Sequence, residues 1–345
     1  MLKANWKKIT LNFKQPSGTS RGILTQKDSW LIKIWSKNQS EIYGIGEASI
    51  LKTLSPDWNN NYETKIEEVC NHINDYVTKE GIDKLRKYPS IQLAIETALL
   101  DLNNGGQSVV YKSDFTEKQS PITINGLIWM GSKDFMLKQI KDKLKSGFTC
   151  IKLKIGAIDF ESELELLKFI RSKYSVNDVE LRVDANGAFS TKDALIKLEQ
   201  LSKFDLHSIE QPIKQGQVED MYQLCNKTPL PIALDEELIG HFDLDSKAQT
   251  LLNIKPQYII LKPSLIGGFN GTNEWIQLAE KQNINWWITS ALESNIGLNA
   301  IAQYTFTKNN PLPQGLGTGQ LFTNNTKLHH CNKSLQIKKG QLFLG

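Results

Sequence analysis

Residues Ile151–Gly156 read IKLKIG. Ile151, Leu153 and Ile155 alternate with Lys152 and Lys154, the two-residue period of a β-strand with one apolar face and one face carrying two ammonium groups. On a half-exposed strand the two lysines would lie in water. On a strand whose polar face lines a site they would converge on it. The neighbouring segments decide between these readings.

From Ile122 onward, short apolar runs alternate with amphipathic helical stretches. The strand candidates in order are ITINGLIW, CIKLKIG, VELRVDAN, HSIEQPI, LPIALDE, YIILKPS, INWWITSA and QGLGTG, and helical patterns such as FESELELLKFIRSKY and TKDALIKLEQLSKF separate most of them. This rhythm predicts an α/β fold whose parallel strands close into a (β/α) barrel. QGLGTG is assigned only by its place in the series. Before Ile122 the pattern changes. ANWKKITLNF, GILTQKDSWLIKIWSK and SEIYGIGEAS read as antiparallel strands, and helices are expected over 62–77 and 91–104. The expected division is an α+β capping domain at 1–120 and a barrel at 121–333, with a C-terminal hairpin (334–345) returning to the first region.

Chemistry in such a barrel sits at the C-terminal ends of the strands. LRVDANG ends in Asp184, SIEQP in Glu210 and IALDEE in Asp235, at spacings of 26 and 25 residues, one βα unit each. Three neighbouring carboxylates repel one another and are costly to desolvate, and a hard divalent cation removes that cost. Mg²⁺, with Mn²⁺ as a substitute, fits better than Zn²⁺, because no His or Cys occupies these strand ends. Lys154 lies one unit before the acids and Lys262, in YIILKPS, one unit after them. The rim therefore reads lysine pair, acid, acid, acid, lysine. Lys152 and Lys154 are expected to face the barrel mouth, with Lys152 a positive neighbour that favours the neutral, basic form of Lys154. The arrangement suits removal of a proton α to a metal-bound carboxylate, with Lys262 acting from the opposite face.

The series KxK, DAN, EQP, DE, KPS resembles the enolase superfamily in its muconate-lactonizing-type branch, over nearly the whole chain. That resemblance implies a modified TIM barrel with an N-terminal capping domain. WWITSALESNIGLNAIAQ and LPQGLGTGQLF resemble the corresponding segments of o-succinylbenzoate synthases. These are Mg²⁺-dependent hydro-lyases of menaquinone biosynthesis, which dehydrate 2-succinyl-6-hydroxy-2,4-cyclohexadiene-1-carboxylate. On this resemblance Lys154 is both base and acid in a syn elimination, and Lys262 is a cationic stabiliser. The rivals within the branch are an N-succinylamino acid racemase or a dipeptide epimerase, using the two lysines as a two-base pair. A dipeptide epimerase usually carries D-x-D where this chain has Gly317-Thr318-Gly319, with no acid.

The resemblance also implies substrate contacts. The loop KQPSGTSRGIL brings Arg21 either to a substrate carboxylate or into a brace for the loop itself. Leu51 or Leu54 in SILKTLSPDW packs on the substrate. Asn186 and Ser290 are further contact candidates. Glu293 either orients a lysine or water or forms a structural salt bridge. The N–H groups around Gly317 and Gly319 would receive the succinyl carboxylate.

The 345 residues are 40% hydrophobic and 23% charged, with a net charge of +4, and the lysines are interleaved with acids. That composition describes a soluble globular protein without a nucleic-acid patch. The four cysteines are far apart, and no apolar run reaches the roughly 20 residues of a membrane span. A cytoplasmic enzyme acting on a small carboxylate is expected, of undetermined oligomeric state. A binding protein on the same fold would be marked by loss of a lysine or an acid, and all are present. An aldolase would need one Schiff-base lysine but no acid triad.

Overall fold

The computed structural model describes residues 1–19 and 22–345, with 17–19 as backbone only. The chain opens with an antiparallel sheet of β1 (Leu2–Thr19), β2 (Gly22–Ser36) and β3 (Gln39–Ser49), in that order. On β2, Trp30, Ile32 and Ile34 alternate with more exposed residues and are fully buried, together with Ile66 and Val69 of the helix Tyr62–Asn71 and Ile91, Ala94 and Ala98 of the helix Pro89–Asn103. The YGIGEAS stretch of β3 explains how closely the second helix docks. A Cβ at Gly44 would lie 1.9 Å from the Ala98 carbonyl oxygen, and one at Gly46 1.8 Å from that of Ala94. Only glycine permits this approach of strand to helix backbone.

Seven parallel strands follow: β5 (Gly126–Ile128), β6 (Cys150–Lys154), β7 (Glu180–Asp184), β8 (Ser208–Glu210), β9 (Ile232–Leu234), β10 (Tyr258–Leu261) and β11 (Asn285–Ile288), each paired with its neighbours in chain order. Helices such as Phe160–Arg171, Thr191–Ser202 and Gly268–Lys281 cover the outside. The outward residues Ile151, Leu153, Leu181 and Val183 are fully buried beneath that layer.

Two expectations are corrected. QGLGTG does not form an eighth strand. Gln314 and Gly315 make single parallel bridges to Ile124 and Thr289, which join the two edges of the sheet, and Gly317–Gln320 then turns as a 3₁₀ helix. The backbone bonds Asn125 N to Gln314 O and Ser290 N to Gly315 O complete the closure. The C-terminal hairpin, β12 (Leu335–Lys338) and β13 (Gln341–Leu344), does not join the first sheet. It pairs with β4 (Ile122–Thr123) just ahead of the barrel, where Leu342 and Leu344 bury into the barrel core.

Two carboxylates fasten the N-terminal region to the barrel. Glu47 of β3 accepts from Ser294 N, Ser294 Oγ and Gly297 N at the start of the helix Asn295–Phe306. Glu96 accepts from Gln92 Nε2 and from the N–H groups of Phe269 and Asn270 at the start of the helix Gly268–Lys281. Each meets unsatisfied N–H donors and the positive end of a helix dipole.

Candidate active site

Strand alternation sends Lys152 and Lys154 of β6, Asp184 of β7, Glu210 at the end of β8 and the residues just past β9 and β10, Asp235 and Lys262, toward one point. Lys152 is 9% exposed, the side chains of Lys154 and Lys262 are 14% exposed and the three acids at most 2%, so these lysines are not surface residues. Lys152 Nζ lies 3.0 Å from Asp184 Oδ2 and also pairs with Glu210. Lys154 Nζ donates to Asp184 Oδ2 and Asn186 Oδ1 at 2.6 Å each. Lys262 Nζ donates to Asp235 Oδ2 at 2.6 Å.

One oxygen from each of Asp184, Glu210 and Asp235 lies within 4.8 Å of the other two. Glu210 Oε1 and Asp235 Oδ1 are buried without a hydrogen-bond partner among the described residues. Burial alone would raise the Asp184 carboxyl, but Lys152 and Lys154 outweigh it and hold it well below the usual range. Burial pushes Glu210 up to about 8, reinforced by the charges of Asp184 and Asp235 against the opposing pull of Lys152. Burial works against the Lys152 charge, yet Asp184, Glu210 and Asp235 overcome it and raise its pKa. An all-oxygen cluster with two unpartnered buried oxygens and one carboxyl reluctant to ionise is suited to a divalent cation.

The neighbouring residues hold this geometry. Asn186 sits at φ 44°, a region asparagine tolerates, so that its N–H reaches Asp184 Oδ1 while its side chain spans Lys154 and Glu236. Gln211, the residue after Glu210, accepts from the N–H groups of Asp235 and Glu237 and ties β8 to β9. The sequence reading included Gln211 in the EQP motif but gave it no role.

Above the cluster opens a cavity of 340 Å³, walled on one side by the barrel mouth and on the other by β2 and residues 50–54. Of the residues expected to contact substrate, Leu51, Asn186, Ser290 and Gly317 line it, as does Leu54. Glu293 and Gly319 do not. Glu293 is fully buried and accepts from Ser264 Oγ and Ala291 N rather than from a lysine. The Gly319 carbonyl accepts from Asn325, and it is Thr318, bonded to Ser290, that faces the cavity. Arg21 lies outside the described residues. Lys27 and Trp129 also line the cavity and were not foreseen. Nothing in the local pattern around Lys27 separates it from a surface lysine; only its pairing with buried Ser29 and Ser49 does.

Trp287 faces inward beneath the cavity with the Arg182 guanidinium 4.1 Å from its ring, and Trp286 turns to the helix layer beside Glu280, as strand alternation requires. All four cysteines are free thiols. No helix among the described residues is long and apolar enough to cross a membrane.

Comparison with known proteins agrees with this architecture. Residues 136–344 match the family model described as enolase C-terminal domain-like. An o-succinylbenzoate synthase of Desulfotalea psychrophila is 44% identical over 94% of this chain and 95% of its own. A crystal structure of MenC from Desulfotalea psychrophila LSv54 superposes with a TM-score of 0.85 at 40% identity, covering 99% of each chain. A substrate-liganded L-Ala-D/L-Glu epimerase from Bacillus subtilis shares the fold at 19% identity, with a TM-score of 0.83 over 99% of this chain and 96% of that one. The chain thus belongs to the enolase superfamily and, within it, to the family of the o-succinylbenzoate synthases.

Proposed function

We propose that the chain is an o-succinylbenzoate synthase, converting 2-succinyl-6-hydroxy-2,4-cyclohexadiene-1-carboxylate into o-succinylbenzoate and water in menaquinone biosynthesis in the cytoplasm. The observation that supports this reading is that Lys154 and Lys262 enter one cavity on either side of a buried acidic triad, in a chain 44% identical to an o-succinylbenzoate synthase over 94% of its length. Asp184, Glu210 and Asp235 would hold Mg²⁺. The bound cation would neutralise the substrate carboxylate oxygens on which negative charge grows as the α-proton leaves.

The chain's own residues supply the rest. Lys154 takes the proton from the ring carbon bearing the carboxylate. The C–O bond to the ring hydroxyl then breaks, and Lys154 returns the proton so that water departs from the same face. Lys262, on the far side, stays charged and stabilises the anionic intermediate; Asp235 and Glu236 favour its charge against burial. Lys152 holds the Asp184 and Glu210 carboxylates together. Residues 1–120 serve as the cap that completes the cavity, and 121–333 as the catalytic barrel.

The test is a spectrophotometric assay of aromatisation of the cyclohexadiene substrate, with and without Mg²⁺. Metal-dependent aromatisation is expected; its absence with folded, Mg²⁺-loaded protein would overturn the reading. Because lysines flank the triad on both sides, a second reading is an N-succinylamino acid racemase using Lys154 and Lys262 as paired bases.

A further inference from the structure

Five lysines line the cavity among the described residues: Lys27, Lys52, Lys152, Lys154 and Lys262. Four are ion-paired. Lys152, Lys154 and Lys262 are bound to the acidic triad, and Lys52 reaches Asp28 at 3.5 Å. Lys27 differs. It is 5% exposed, and its Nζ donates to two hydroxyls, Ser29 Oγ at 2.9 Å and Ser49 Oγ at 2.5 Å. No carboxylate of the described residues stands within ion-pair distance of it.

The three acids whose charges are felt at Lys27 are already engaged elsewhere, Asp28 with Thr10, Lys8 and Lys52. Glu47 is bound to Ser294 and Gly297, and Glu293 to Ser264 and Ala291. A desolvated ammonium with only neutral partners is costly, and burial accordingly lowers its pKa. The cost falls when an anion arrives in the cavity the residue lines.

We propose that Lys27, held by Ser29 and Ser49, binds the succinyl carboxylate of the substrate. The inference rests on the proposed synthase reading and extends it to the far end of the substrate. The ring carboxylate belongs to the triad side of the cavity, where Lys152, Lys154 and Lys262 are committed. The succinyl chain runs to the opposite wall formed by β2, past Leu24, Leu51 and Trp129. Of the groups first expected to receive this carboxylate, Gly319 is outside the wall. Gly317 is not held there by space, since a Cβ on it would meet nothing closer than 3.5 Å.

The test compares o-succinylbenzoate with its analogue in which the succinyl carboxylate is a carboxamide. Binding is measured by calorimetry with Mg²⁺ on the full chain, and aromatisation is assayed on the same preparations. Wild type should prefer the acid by about tenfold or more, the scale of a charge-assisted hydrogen bond in a buried site. Lys27→Gln, which keeps a donor for the two serines without the charge, should bring the ratio near one. Lys27→Arg should retain most of it.

A structural role for Lys27 would weaken both ligands alike and leave the ratio unchanged, and that result would overturn the proposal. So would a wild type that does not distinguish acid from amide, which also tests the proposal if Lys27→Gln fails to fold. Discrimination that depends on Lys27 in a protein that does not aromatise the cyclohexadiene would support the carboxylate site and refute the synthase reading. The two failures therefore give different results.

Discussion

Lys154 and Lys262 pair with different members of one carboxylate cluster, Lys154 with Asp184 and Lys262 with Asp235, each at 2.6 Å. They enter from β6 and from the end of β10, with the three acid-bearing strands between them. On the proposed reading, a substrate lying over the triad would meet one lysine on each face.

The two lysines are expected to be inequivalent. In the dehydration Lys154 makes both proton transfers, so Lys154→Ala should abolish turnover and α-proton exchange together. Lys262→Ala should be severely impaired through loss of a stabilising charge. In a racemase each lysine serves one enantiomer, and either single mutant would still exchange the α-proton of one enantiomer of an N-succinylamino acid. NMR in D₂O with both enantiomers and the cyclohexadiene substrate separates the cases. Rapid exchange of both enantiomers by wild type with little aromatisation would put the racemase first.

Removing an acid should affect metal binding and stability in distinct ways. Asp235→Asn or Glu210→Gln takes a ligand charge from the cation site, so turnover should fall by several orders of magnitude. Mg²⁺ affinity measured directly by calorimetry should fall with it. In EDTA, Asp235→Asn also leaves the Lys262 ammonium buried without its partner, with a loss of about 3 kcal/mol expected for breaking a buried pair. Thermal melts with and without Mg²⁺ read both effects. Full activity of wild type in excess EDTA would sink the site.

The triad, both flanking lysines and the barrel could be read from the sequence for one physical reason. Strand alternation and the βα repeat length fix where a side chain points, and IKLKIG, LRVDANG and IALDEE carry their own register. Elements that depend on distant partners were not legible. QGLGTG bridges two edges through two residues only, so it has no strand period to read. β13 pairs with Ile122, more than 200 residues earlier, and its own alternation fits any edge. Lys27 lies on a strand of mixed polarity, and its burial arises from Ser49 and the cavity wall rather than from its neighbours in sequence. Glu293, expected to orient a lysine or water or to form a structural salt bridge because it follows the seventh strand, is instead folded back by the turn onto Ser264.

Glu47 is a test of how the N-terminal region is held over the barrel. Glu47→Ala would strand three donors, Ser294 N, Ser294 Oγ and Gly297 N, at a buried helix start. Unsatisfied buried donors and a lost cap together should cost about 3 kcal/mol or more. Glu41→Ala, exposed on the same strand, should change stability by under about 0.5 kcal/mol. Urea unfolding at pH 7 measures both, and equal small effects would show that the Glu47 bonds do not hold the interface.

Glu96 should make stability depend on pH near neutrality. Burial pushes its carboxyl from 4.5 up to about 7, against the lowering effect of Gln92 and of the Phe269 and Asn270 N–H groups. The folded state thus binds this proton more tightly than the unfolded chain does. The resulting stabilisation is fully present below pH 4.5 and is lost as pH rises through about 7, a change of about 3 kcal/mol. Glu96→Gln is neutral at every pH and should not show that loss. The stability of Glu96→Gln relative to wild type should therefore rise by about this amount between pH 4.5 and pH 8, measured by urea unfolding at constant salt. A difference that stays constant with pH would mean that the carboxylate remains ionised throughout. The amide donors at the start of the helix Gly268–Lys281 would then outweigh its burial.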